Sequence, residues 1–574
     1  MNMRRKYAPI LAAIAFVVVL LLIVLGRFLI KRYTPGEERA NLMEYFSLEE
    51  EEDMAIIYEG QLMATKAEYI QGHVYVPYKF LHDYMNPRFY WDSNENLLLY
   101  TTTDYIVRTE PSTADYYVGN KKITGDFGEI VKMDGDTALV NLEYIDMYTD
   151  FTYEVYSNPN RIVIEGHSRE IQQVSVRKSG EIRVLAGIKS PILKTVEKGE
   201  ALEILEDEGK WTKVRTKDGL VGYIKDKSLG KVTRQQIVVE ETKEEFVHRF
   251  VDGPLCMGWH QIDVKADNNE IQEILEVSTG ITVISPTWFY LNDNYGGVGS
   301  YASKDYVNYC HSQGVEVWAL VSNLINKSVD TTMVLTHTSY RENLVNKLIA
   351  LAIEYKLDGI NLDMEALDRE VGDAYVQLVR ELALKCHANG LTLSVDNYVP
   401  TNYTAFYNRS QQALYADYII VMAYDEHYVG SDAGSVSSIG FVEQGIEGTL
   451  QQVPAHQIVL GLPFYCRLWE ESPVYDENGN LVSFSTKSTA YGMNGAEKVL
   501  KNYGVEPVWD DSVGQYFARF EADGKVYKIW MEEEKSLELK LQLMEKYNLA
   551  GVSFWKLGLD RNKTWNVIEQ YLSN

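Results

Sequence analysis

Cysteine is scarce in this chain. There are four in 574 residues, Cys256, Cys310, Cys386 and Cys466, with no Cys-x-x-Cys pair and no metal-ligand spacing. A disulfide-stapled small fold and a zinc module are therefore excluded. The four thiols read as small buried hydrophobes, and a disulfide stays open if the chain is exported. Basic residues are outnumbered, 55 Lys and Arg against 82 Asp and Glu, for a net charge of −27. That balance argues against nucleic acid or a polyanionic surface as the main partner. It nominates no partner, because solubility alone accounts for it. No Gly-rich phosphate loop, Ser-His-Asp order or zinc spacing stands out, and no cofactor is called for. What is present is a globular composition, 46% hydrophobic and 12% aromatic with 41 tyrosines. The length suggests about three or four domains.

The longest apolar run lies at the amino terminus, from Ala8 to Gly26, between Arg4, Arg5, Lys6 and Arg27, Lys31, Arg32. About 20 apolar residues match the hydrocarbon thickness of a bilayer. No Ala-x-Ala site follows, so residues 1–32 read as a short tail and a signal-anchor helix, with a cleaved signal as the competing reading. Three basic residues on each side leave orientation undecided by charge.

Residues 45–166 carry an internal repeat. Val76-Pro77-Tyr78-Lys79-Phe80-Leu81 aligns with Val140-Asn141-Leu142-Glu143-Tyr144-Ile145, and the same offset pairs Asn94 with Asn158 and Leu98 with Ile162. Each copy reads as a strand, a helical turn and an Asn-rich hairpin. The pattern resembles the amino-terminal module of copper amine oxidases, although no His cluster is present to hold copper. A spacer or wall-facing scaffold is the role this implies. Residues 170–232 hold short strands between polar turns. Lys210-Trp211-Thr212-Lys213-Val214 and Gly222-Tyr223-Ile224 resemble bacterial SH3-like barrels, which implies recognition of cell-wall peptides. Trp211 and Tyr223 are equally explained by packing in so small a barrel. A charged connector follows, to Glu245.

From residue 246 to 574 apolar runs alternate with helical patterns, as in a (β/α)8 barrel. The predicted strands are 255–259, 281–285, 316–321, 359–365, 392–395, 418–422, 458–462 and 551–555, and an insertion falls between strands seven and eight. The fourth is the informative one. In Gly359-Ile360-Asn361-Leu362-Asp363-Met364-Glu365 a period of two puts Asn361, Asp363 and Glu365 on one face. Two acids and an amide on one face of a buried strand are costly unless that face lines a site, and an amphipathic edge strand is the bland alternative. With Asp358, the run resembles the Asp-Gly-x-Asp-x-Asp-x-Glu signature of glycoside hydrolase family 18, departing from it at Asn361. Val421-Met422-Ala423-Tyr424-Asp425, Gly461-Leu462-Pro463-Phe464-Tyr465 and Trp555 resemble the family's motifs after strands six, seven and eight. The segments around Ile529-Trp530-Met531 and Gly551 to Gly558 resemble the bacterial N-acetylglucosaminidases of spore cortex and peptidoglycan, a group that tolerates Asn at 361.

This resemblance implies a mechanism. Ordinary glycosidases flank the bond with two carboxyls, whereas this family uses the substrate's own acetamide oxygen as nucleophile. Glu365 becomes the general acid, and it needs a pKa raised toward neutrality by burial and by Asp363. Asp363 orients the acetamide N–H, and Tyr424 donates to its oxygen. Asn361, Asp425, Trp555, Tyr465 and Trp259 are the expected substrate-binding residues, with Asn361 orienting Asp363. His260, His427, Trp288 and Trp469 are weaker candidates, equally explained as hydrogen-bonded or packed residues.

The whole therefore reads as multidomain. A transmembrane helix, a duplicated α+β module and an SH3-like barrel precede a catalytic TIM barrel on the outer face of the membrane. The implied partner is peptidoglycan or a chitin-like glycan, cleaved with retention at N-acetylglucosamine. Action on other glycans, or glycan binding without catalysis, are the rival readings.

Overall fold

A computed structural model describes residues 4–478 and 480–572, the side chains of residues 4–7 excepted. Arg4, Arg5 and Lys6 of the flanking charge count thus fall outside the described side chains. The chain divides into two compact units. One comprises residues 1–89, 109–116 and 122–243, and the other residues 90–108, 117–121 and 244–574.

The first unit begins with a single helix, Arg4–Tyr33. Within it, Ala8–Tyr33 is unburied and is long and apolar enough to cross a membrane. Two seven-stranded sheets follow. In the first, Asp53–Tyr58 pairs parallel with Arg161–Glu165 and antiparallel with Gln61–Ile70. The second runs from Arg169 to Ile237 and is the SH3-like element. Phe46, Ala55 and Ile57 share one apolar cluster with Val174, Ile182, Val214 and Ile224.

The second unit is built on eight parallel strands: β1 (Leu255–His260), β2 (Val283–Pro286), β3 (Glu316–Ser322), β4 (Gly359–Asp363), β5 (Thr392–Tyr398), β6 (Tyr418–Met422), β7 (Ile458–Pro463) and β8 (Gly551–Trp555). Each pairs with the next, and β8 pairs with β1, so the sheet closes into a barrel with no free edge. Strand edges fall within a few residues of those expected from the apolar runs. The largest difference is β5, which continues through Asp396 to Tyr398. Pairing of β4 stops at Asp363, and Ala366 then takes a left-handed conformation (φ 51°), so Glu365 stands just past the strand. Gly359 opens β4 because a Cβ there would meet the Thr392 carbonyl oxygen at 2.7 Å. All four cysteines are buried and unpaired.

Between β7 and β8 the chain forms a five-stranded antiparallel sheet. In it Gln515–Ala522 turns back as Lys525–Met531 through Asp523 and Gly524, both at positive φ.

The barrel unit also exceeds the expected 246–574 boundary, because residues 90–108 belong to it. Helix Thr338–Tyr355 has His337 at its N-cap with no side-chain cap bond. Asp92 supplies one instead, its Oδ2 accepting from the Thr338 amide at 2.6 Å, and Glu95 accepts from the Ser339 amide. Tyr90 lies under the Arg341 guanidinium, 4.8 Å from ring centre to Cζ. The Tyr415 hydroxyl donates to the Thr101 carbonyl.

Candidate active site

Parallel strands around a closed barrel deliver their last side chains to one rim, and in this fold chemistry collects there. Residues from the carboxy ends of β1, β4, β5, β6, β7 and β8 meet at that rim.

Asn361 is the hub beneath it. It is fully buried, and its Oδ1 accepts from Trp259 Nε1 at 2.8 Å and from Ser285 Oγ at 3.1 Å. Its Nδ2 donates to Ser394 Oγ at 3.0 Å and to Asp396 Oδ1 at 2.8 Å. Both lone pairs and both amide hydrogens are used, and an indole N–H can only donate, so the amide orientation is fixed. Two expectations are corrected here. Asn361 bonds Asp396 and not Asp363, and with no exposed surface it cannot touch a sugar. Trp259 is also buried, its N–H committed to Asn361, so it supports the floor from below.

Asp363, the next inward residue of β4, is partly open, yet its Oδ1 is buried without a hydrogen-bond partner. Burial, then the neighbouring Glu365 and Asp396, push its carboxyl well above the usual carboxylate range. Asp396 is buried on β5, and it too is pushed well up, by burial first. The Asn361 hydrogen bond opposes that rise and Glu365 adds to it.

Glu365 is half-buried. Its backbone is clamped by Asn323, which accepts from the Glu365 amide and donates to its carbonyl, each at 2.9 Å. Burial raises its pKa, a hydrogen bond from Tyr398 lowers it, and Asp425 raises it again. Tyr424 is half-buried, and burial with the nearby Asp396, Glu365 and Asp363 holds its phenol well above 10, so it remains a proton donor. Asp425 is exposed, in a left-handed conformation (φ 55°), and accepts from the Tyr465 hydroxyl. Arg467 approaches Asp425 to 3.7 Å. Tyr465 is itself buried behind Asp425. Trp555 is half-buried at the end of β8, its ring 6.0 Å from that of Trp259.

The weaker candidates are packed residues. Trp288 and Trp469 are buried with their indole N–H groups on Asn268 and on the Gly434 carbonyl. His260 is buried against the Tyr306 hydroxyl at 2.9 Å, and burial followed by the Lys556 charge brings it down to about 4, hence neutral. His427 bonds the Asp432 carbonyl. Asp358 accepts from His311 and from the Val317 amide at the foot of the barrel, a structural position.

Three residues were missed from sequence: Asp396, Tyr398 and Asn323. The signal for the first two was available, since Thr392, Ser394, Asp396 and Tyr398 repeat on β5 the two-residue polar alternation that exposed Asn361, Asp363 and Glu365 on β4.

The rim of β4 thus holds a half-buried carboxyl with a raised pKa, acids beside it and the Trp555 ring at the end of β8. Residues 300–560 match the glycosyl hydrolases family 18, and residues 178–230 match the bacterial SH3 domain. The chain thus carries a family 18 glycosyl hydrolase domain behind a bacterial SH3 domain. It is 24% identical over 318 residues to the uncharacterized glycosylase YvbX of Bacillus subtilis, across 53% of this chain and 88% of that one. It is 27% identical over 265 residues to the cortical fragment-lytic enzyme of Bacillus subtilis, across 44% of this chain and 59% of that enzyme's length. Among solved structures, the C-terminal domain of a protein from Desulfitobacterium hafniense provisionally titled a chitinase shares the fold. Its TM-score is 0.50 at 20% identity, covering 56% of this chain and all of that one.

Proposed function

We propose that the protein is a membrane-anchored, exported glycosidase that cleaves β-1,4 bonds at N-acetylglucosamine in peptidoglycan, with retention and with the substrate's acetamide as nucleophile. The observation that carries the reading is the grouping of the acids. Asp363 and Glu365 lie on one strand and its end, and Asp396 on the neighbouring strand, whereas a conventional pair flanks the sugar from two sides. With the acids of β4 and β5 grouped on one side, a nucleophile brought by the substrate suits the site.

In this reading Glu365 protonates the leaving oxygen and later activates water, which its raised pKa suits. Asp363 accepts the acetamide N–H and stabilises the cationic intermediate. Its unpartnered buried oxygen supports that role, because a donor brought by the ligand would satisfy it. Tyr424 donates to the acetamide oxygen, Asp425 holds sugar hydroxyls, and Trp555 floors the ring. The apolar helix Ala8–Tyr33 supports anchoring. The repeat between residues 45 and 166 is read as a duplicated spacer module, and the SH3 domain as a wall-binding element. The name of one Bacillus relative, a cortical fragment-lytic enzyme, favours peptidoglycan over other glycans.

Glu365→Gln is expected to lower kcat on peptidoglycan about 10³-fold while the protein stays folded. Muropeptide analysis of the digested wall reads both rate and product. Near-normal hydrolysis by the variant would remove the assignment, and turnover of chito-oligosaccharides by the wild type with no release from the wall would redirect it to chitin.

A further inference from the structure

Ala8–Tyr33 runs 26 residues, about 39 Å of helix, against a hydrocarbon layer of about 30 Å. A helix of that length across a bilayer ends among the headgroups. Lys31, Arg32 and Tyr33 at its end are residue types that settle there. The chain is then fastened at once. The Gly36 amide donates to the Ile188 carbonyl at 2.7 Å, and the Ala40 amide to that of Ile192 at 2.9 Å. The buried Arg183 guanidinium donates to the Gly36 carbonyl at 2.8 Å and to that of Ser190 at 2.6 Å. The SH3 domain is thus bonded to the chain within about 10 Å of the helix end, measured along the backbone.

Beside Pro35 that domain opens a cavity of 360 Å³, lined among others by Lys178, Thr195, Trp211, Lys225 and Lys227. Two turns held together by the backbone bring the lysines there. The Arg177 amide donates to the Ser228 carbonyl at 2.8 Å, and the Lys178 amide to the same oxygen at 3.3 Å. Lys225 ends strand Val221–Lys225, its ammonium 5.5 Å from the centre of the Trp211 ring. The acids nearby are occupied. Glu181 pairs with Arg183, Asp226 accepts from Thr212 Oγ1 at 2.9 Å, and Glu197 accepts from Ser179 Oγ at 2.6 Å. Among the described residues no carboxylate pairs with Lys178, Lys225 or Lys227. With Arg183, four cations and one acid line the cavity, although the whole chain carries −27. The charge balance that argues against a polyanionic partner for the chain does not hold at this spot. Three unpaired ammonium groups around one hollow suit an anion.

We propose that this cavity takes the phosphate of an anionic phospholipid headgroup from the membrane that the helix crosses, seating the SH3 domain on the bilayer. The proposal rests on the anchoring reading. Continuity of the chain selects lipid over other phosphates. Pro35 at the cavity's lip is two residues from Tyr33, so headgroups stand beside it at a local concentration that no soluble anion matches. Lys178 and Lys227 are exposed and supply charge. The half-buried Trp211 adds an apolar face beside them, and interfacial surfaces combine the two.

The test uses the full chain in lipid nanodiscs, either neutral phosphatidylcholine or a mixture with anionic phosphatidylglycerol. Amide exchange is read at residues 178–181 and 225–228. Each lysine at an anionic surface strengthens the contact about fivefold, so exchange there should be at least about tenfold slower in the anionic discs. The difference should vanish at high salt and in Lys178→Gln/Lys225→Gln/Lys227→Gln. It should survive in Lys178→Arg/Lys225→Arg/Lys227→Arg, which keeps the charge. Equal exchange in the two discs overturns the proposal, and so does a glutamine variant protected like the wild type. Should that variant fail to fold, salt decides, and slowing that persists at high salt sinks the proposal. A soluble glycerol phosphate polymer added to neutral discs should leave exchange unchanged. Slowing as large as the lipid's would assign the cavity to such a polymer and overturn the lipid reading. A chain that enters neither disc removes the anchor itself, whereas one that enters both without a difference removes only the seat.

Discussion

Tyr398 sets how tightly Glu365 holds its proton. Its hydroxyl hydrogen-bonds the Glu365 carboxylate, favouring the ionised form, and it also accepts from the Ala366 amide at 3.2 Å. Burial and Asp425 act the other way and keep the acid raised. Tyr398→Phe removes the donor and leaves those two in place, so Glu365 keeps its proton to higher pH. Activity is lost when that proton leaves, so the basic limb of kcat/KM should move up. A profile unchanged or moved down in Y398F would show that Tyr398 does not govern the acid. At this scale the acids on β4 were legible because a two-residue period on a buried strand is costly without a site behind it. The partners of Asn361 were not legible, since Trp259, Ser285 and Asp396 lie on three other strands and only the closed barrel brings them together. Asp396 was within reach of the rule and was lost because the apolar run that marks β5 ends before it.

The elements were legible where each buries a continuous apolar run, which is why all eight barrel strands could be placed from such runs. What a local period cannot report is an element completed from afar. Residues 90–101 read as part of an amino-terminal repeat, yet they cap helix Thr338–Tyr355 and cover its first turn. Arg341 is the centre of that junction. It is wholly buried, its guanidinium engages Glu381 of helix Gly372–Ala388 at 3.1–3.2 Å, and it donates to the Leu335 carbonyl and to Thr338. Arg341→Met keeps most of the volume but leaves the Glu381 carboxylate buried, with Gln377 as its remaining side-chain donor among the described residues. Breaking one side of such a pair costs about 3–5 kcal/mol. Chemical denaturation of the barrel unit should show that loss. The double variant Arg341→Met/Glu381→Leu should recover part of it, because the stranded charge is gone. If R341M melts like the wild type, the junction is not what holds the two helices and the 90–101 hairpin together.

At the scale of the whole molecule, the sequence divides into an apolar amino-terminal helix and a strongly acidic remainder. Outside Ala8–Tyr33 no other helix among the described residues is long and apolar enough to cross a membrane. That helix buries none of its surface against the rest of the chain, so its side chains leave Ile10 through Leu29 uncovered by protein. In water a face of that size calls for a bilayer or for association between chains. The two differ in what lipid does. Reconstituted with neutral phosphatidylcholine vesicles, the full chain should float with the lipid at high salt, because hydrophobic insertion is not screened as attraction between charges is. A chain starting at Thr34 should stay in the dense fraction, since so acidic a body has no electrostatic reason to seek the vesicle. Its activity on soluble wall fragments should match that of the full chain, because the rim of β4 lies in the other unit. On vesicle-confined wall the truncated chain should act more slowly, having lost the local concentration that an anchor supplies. Flotation of the truncated chain would place membrane attachment elsewhere, and a full chain that sediments as oligomers without floating would make the helix an assembly element.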